Sequence, residues 1–157
     1  MHCVYFARHG ETVWNVENKI CGMTDSPLTE KGRAQAAQLG EAVKNSGIVL
    51  DEILYSPRLR EQCFGRFEGT SPRNSPEFTA AKMQFADRYT DGESMLQLAQ
   101  RIYNLLDELK QDDKTYLLVA HNGIARVVES YFHNMTNAEY AAFGIKNCEL
   151  RKFDFDA

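Results

Sequence analysis

Residues 3–12 read CVYFARHGET. Cys3 to Ala7 is a short, continuously apolar run with one β-branched and two aromatic residues, the pattern of a strand buried on both faces. It ends at once in Arg8-His9-Gly10-Glu11-Thr12. The same figure returns at residues 116–123, YLLVA followed by His121-Asn122-Gly123, and more briefly at Ile53-Leu54-Tyr55, which gives way to Ser56-Pro57-Arg58-Leu59-Arg60-Glu61. Apolar strands of this kind belong to largely parallel sheets, which gather their ligands at the carboxyl ends of the strands. Three polar clusters at three equivalent strand ends converge in space.

Between the strands lie helices. Thr29 is a good N-cap, and Ala36, Leu39, Gly40 and Val43 follow at helical spacing until Asn45-Ser46-Gly47 stops them. Met95, Leu98, Ile102, Leu105 and Leu109 form one stripe, and Ile124, Val127, Val128 and Tyr131 another. Thr136 to Glu139 is a capping box opening a short helix. Residues 70–92 read as irregular, broken at Pro72 and Pro76. Cys148 to Phe155 reads as a final strand whose alternation slips, at an edge or a bulge. The alternation predicts an α/β domain spanning 1–157: a three-layer sandwich, with a largely parallel central sheet flanked by helices.

Composition narrows the functions. The 157 residues are 43% apolar and 25% charged with net charge −4, which argues against nucleic-acid binding by a general positive field. No apolar run reaches the ~18 residues of a membrane span and no signal peptide is visible, so the expectation is a cytoplasmic protein away from membranes. Cys3, Cys21, Cys63 and Cys148 are scattered, without the paired spacing of a zinc site.

The converging groups are Arg8, His9, Arg58 or Arg60, Glu61 and His121. Arginine forks match the oxygens of a phosphate. A neutral histidine is a competent nucleophile toward phosphorus, and a nearby carboxylic acid can protonate the leaving oxygen and then activate water. The set suits phosphoryl transfer through a phosphohistidine on a small phosphorylated substrate, with no metal or other cofactor required.

The sequence resembles the histidine phosphatase superfamily, in its phosphoglycerate mutase-like branch. The resemblance is carried by Phe6 to Thr12 with Asn15, Asp25 to Thr29 with Gly32 and Gln35, and Tyr55-Ser56-Pro57. It continues in Leu59-Arg60-Glu61 with Gly65, Glu68 and Gly69, Gly92-Glu93-Ser94, and Val119 to Gly123 with Arg126. It implies His9 as nucleophile, Glu61 as proton donor and then base, and Arg8, a second arginine after Ser56-Pro57, His121 and Asn15 as phosphate contacts. It implies a phosphomonoesterase, since the family's mutases are usually longer; phosphoglycerate mutase activity and a non-catalytic phosphate-binding module are the alternatives. Trp14, Phe78, Phe85 and Tyr89 are either core or the wall of a mixed apolar pocket.

The family's pattern places a helix and a short strand between the Ser-Pro turn and the Leu-x-Glu segment. Here one runs directly into the other, so a helix-strand piece is missing. Arg60 either replaces the second clamp arginine or merely resembles it, the clamp having gone with the missing piece; the splice favours loss, and with it slow catalysis. Neighbours on a regular strand face opposite sides, so Arg60 and Glu61 need a turn to share one pocket. The bared sheet face needs a cover, either residues 70–90 or a second copy of the chain in a homodimer.

Overall fold

The computed structural model describes residues 2–55, 57–71 and 75–155. Strand β1 (Cys3–Arg8) lies inside a four-stranded sheet of order β2-β3-β1-β4, with β2 (Glu52–Leu54), β3 (Thr115–Ala120) and β4 (Leu150–Asp154). The first three strands are parallel and β4 runs antiparallel to β1. The β1–β3 register pairs Cys3 with Thr115 and Arg8 with Ala120, so His9 and His121 leave the sheet side by side. This register is what builds the site.

The helices are α1 (Val13–Val16), α2 (Glu30–Asn45), α3 (Pro76–Lys82), α4 (Met95–Leu109), α5 (Asn122–Phe132) and α6 (Asn137–Ala142). Their starts follow the side-chain chemistry. The Thr29 hydroxyl accepts from Gly32 N at 3.0 Å, and capping boxes join Ser94 to Gln97 and Thr136 to Glu139. Stripes on α4 and α5 bury Leu98, Ile102, Leu105, Ile124, Val127 and Val128 against Val4, Phe6 and Leu118 of the sheet. Helix α2 forms where its periodicity predicts but buries only Gly32, whose backbone meets that of Glu11 so closely that no Cβ fits between them.

Three expectations change. Pro76 does not break the irregular stretch: it opens α3 at the first helical position, where a missing N–H costs nothing, behind a Ser75 cap. Strand β4 starts at Leu150, because Cys148 takes a left-handed φ of 58° that ends any extended run; the strand lies at the sheet edge. Strand β2 is Glu52–Leu54, one residue earlier than the apolar run suggested. Ser56 and Pro72 lie outside the described residues.

At the opposite edge, β2 is left exposed by the described residues. Ile53 pairs in register with Leu117 and shares its sheet face, yet Ile53 is 56% exposed and Leu117 only 6%. Residues 75–90 do not cover it. Phe78 and Tyr89 pack instead with Ile20 and Phe67 in a separate apolar cluster, and Phe85 and Phe78 line a neighbouring cavity of about 260 Å³. Among the described residues no helix is long and apolar enough to cross a membrane.

Candidate active site

At the carboxyl ends of β1 and β3 a cleft of about 470 Å³ is lined by His9, Arg60, Glu61 and His121, together with the loop Cys21 to Ser26. The His9 backbone is stitched to both sides: its N–H donates to Ala120 O at 2.9 Å, and its carbonyl accepts from Asn147 Nδ2 at 2.8 Å. Its Nδ1 lies 2.6 Å from Gly10 O. A carbonyl only accepts, so the ring proton sits on Nδ1 and Nε2 keeps its lone pair. The His121 ring lies edge-on to His9 with centroids 4.6 Å apart.

Both rings are neutral at physiological pH. Burial first, and then His121 beside it, push His9 down to about 4. Burial and then the Arg8 guanidinium push His121 to about 4. Glu61 is moved the other way: burial raises its carboxyl, against two backbone hydrogen bonds that favour the charged form. These come from Gln62 N and Gly123 N, each at 2.9 Å. Gly123 is in the first turn of α5, and a Cβ there would collide with the Glu61 carboxyl. The acid therefore reaches the helix start only because residue 123 has no side chain.

Arg8 donates Nη1 to Ile145 O at 2.9 Å, while its buried Nε has no hydrogen-bond partner. Its charge acts on both histidines and is felt against Glu61. The two arginines that follow Pro57 part company. Arg60 lines the cleft, whereas Arg58 pairs with Glu108 of α4 at 2.6 Å. Asn15 is not among the lining residues: its Oδ1 accepts from Thr12 N and its N–H donates to Thr12 Oγ1, closing α1 as a capping box. Arg8 is likewise outside the lining.

Sequence reasoning assigned no role to the loop that forms the other wall, Cys21 to Ser26. Glu68 pins it, accepting from Met23 N at 2.9 Å, Thr24 N at 3.0 Å and the Thr24 hydroxyl. Ser26 Oγ accepts from Trp14 N at 3.0 Å. Among the described residues, no group of three or more His, Cys, Asp and Glu is placed to hold a metal ion. Chemically, the cleft joins a neutral imidazole with a free Nε2, a second imidazole, an exposed guanidinium and a buried acid.

The curated relatives include a probable phosphoglycerate mutase GpmB of Escherichia fergusonii, 31% identical over 185 aligned positions that take in 97% of this chain and 84% of the relative. The GpmB of Yersinia pestis (strain Pestoides F) is 32% identical over 183 positions, again 97% and 84%. Among solved structures, a mycobacterial glucosyl-3-phosphoglycerate phosphatase superposes with a TM-score of 0.81 at 23% identity, covering 97% of this chain and 92% of that one. An Escherichia coli protein described as a putative alpha-ribazole-5'-P phosphatase gives 0.79 at 20% identity, with 96% and 88% covered. The histidine phosphatase superfamily (branch 1) matches residues 4–57 and 46–157. With nearly the whole length matched and the His9 and His121 turns at adjacent strand ends, the chain belongs to the histidine phosphatase superfamily.

Proposed function

We propose that this protein hydrolyses phosphomonoesters through a phosphohistidine on His9. The observation that carries the reading is the pair of neutral histidines, His9 with a free Nε2, sharing one cleft with buried Glu61. Nε2 attacks phosphorus and the bond to the ester oxygen breaks. Glu61 gives its proton to that leaving oxygen. Water then attacks the phosphorus of the phosphohistidine, Glu61 takes the water's proton, the P–N bond breaks and inorganic phosphate leaves. Arg60, His121 and Arg8 supply donors for the charge on the transferring oxygens, and the unpartnered Arg8 Nε supports that role.

A mutase differs only in where the phosphoryl group goes, back to a substrate hydroxyl instead of to water. The name of the GpmB relatives keeps that second reading in play. The proposal also includes a missing helix-strand piece after Pro57. Its supports are an alignment of 185 positions against a chain of 157 residues, and the open face at Ile53. A second copy of the chain is the proposed cover of that face.

The test is p-nitrophenyl phosphate in EDTA. Turnover is expected to persist, vanadate to inhibit strongly as a mimic of the transferring phosphorus, and the active species to sediment as a dimer. Activity lost to EDTA and restored by a divalent ion overturns the mechanism, and no hydrolysis at all favours a binding module. Isomerisation of a phosphoglycerate that outpaces its hydrolysis selects the mutase, and a monomer at all concentrations removes the dimer.

A further inference from the structure

Beyond Leu59 the backbone that carries Arg60 and Glu61 is in neither helix nor strand. Irregular backbone must find hydrogen-bond partners outside a regular ladder. Here one side chain provides several of them. Arg101, two turns into α4, donates Nη1 to Arg58 O at 2.6 Å, and Nη2 to Arg60 O at 2.7 Å and Glu61 O at 3.2 Å. The same guanidinium grips the Glu93 carboxylate, Nε at 2.7 Å and Nη2 at 2.9 Å. Both side chains are largely withdrawn from water, 16% and 12% exposed.

Glu93 closes the frame from its own backbone. Its N–H donates to Cys63 O at 2.8 Å, and its carbonyl accepts from the buried Gln62 side chain at 2.8 Å. Residues 58–63 are thus hung from the start of α4 by one ion pair and its neighbours. Gln62 N, one of the two amides that aim the Glu61 carboxyl, belongs to the suspended stretch.

We propose that Arg101, oriented by Glu93, is the positioning residue that holds Glu61 in line to protonate the leaving group. It touches no reacting atom. A lysine cannot replace it, because a single ammonium cannot reach three carbonyls and both oxygens of a carboxylate as the flat fork of a guanidinium does. The proposal rests on the phosphohistidine reading and adds to it which residues outside the cleft set the acid.

Misplacing an acid is felt in proportion to the basicity of the leaving oxygen. p-Nitrophenolate departs without a proton, and an alkoxide does not. The experiment compares kcat/KM, which reports only the step in which the ester oxygen leaves, on p-nitrophenyl phosphate and on an alkyl phosphate for wild type, Arg101→Lys, Glu93→Gln and Glu61→Gln, with circular dichroism and melting curves alongside. Arg101→Lys and Glu93→Gln are expected to lose about tenfold or more on the alkyl ester beyond any loss on the aryl ester, as Glu61→Gln does. Adding Arg101→Lys to Glu61→Gln should then cost little more. Labelled His9 in the wild type with equal losses on both esters overturns the positioning role alone. Wild type that never labels His9 overturns the phosphatase reading and this proposal with it.

Discussion

His9→Ala is expected to lower phosphomonoester turnover by about 10⁴-fold or more and to abolish the phosphoenzyme, the usual scale for losing a nucleophile that acts as one unit with its partners. Nδ1 is committed to Gly10 O, so nothing else in the ring competes with Nε2 for phosphorus. The ring is pushed down to about 4, so it needs no base to free it at neutral pH. The acid limb of kcat/KM should accordingly fall nearer pH 4 than the ordinary 6.5 of histidine. Brief incubation with a labelled phosphomonoester, followed by quenching, should give label that acid removes and base spares. Label that survives in His9→Ala sinks the assignment.

Arg60→Ala is the second large effect, a fall in turnover of about 10²- to 10³-fold, the scale of one transition-state donor. Arg58→Ala should stay within about threefold, because its partner Glu108 is on the surface and such pairs contribute little. Arg60 lines the cleft with His9, and its main chain is held while its side chain is exposed and able to swing onto a phosphate. The reading in which the clamp went with the missing piece makes the opposite forecast: a wild type already slow by that factor and no response to Arg60→Ala. Steady-state rates of the two single variants beside wild type decide between them.

The parts of the fold that were legible in the sequence are those whose signal is local. CVYFA and YLLVA can be read as buried strands, and Thr29 and Thr136 each mark a helix start with their own side chains. Pro76 misled because a proline that breaks a helix interior is also well suited to opening one, and only the Ser75 cap before it tells the two apart. The site divides the same way. His9 and His121 follow from strand ends that the β1–β3 register sets side by side. The nearness of Arg60 and Glu61 looked paradoxical on a regular strand. It is resolved by backbone that is not a strand and is held by Arg101, a residue some forty positions away with no signature in residues 57–61. The Cys21–Ser26 wall escaped for a similar reason, since the anchor that shapes it is Glu68.

The two neutral histidines also tie the survival of the fold to proton concentration. Unfolded, each ring takes a proton near 6.5; folded, each resists until about 4. Between those values the unfolded chain binds more protons than the native one. The stability held by keeping both rings neutral is therefore complete above 6.5 and drains away as pH falls toward 4. A shift of that size is worth roughly 3 kcal/mol per fully buried ring, less here because both keep some access to water. Acid therefore weakens the fold across the interval from 6.5 to 4, before it protonates His9 itself near 4, so the imidazole pair makes structure yield to acid ahead of chemistry.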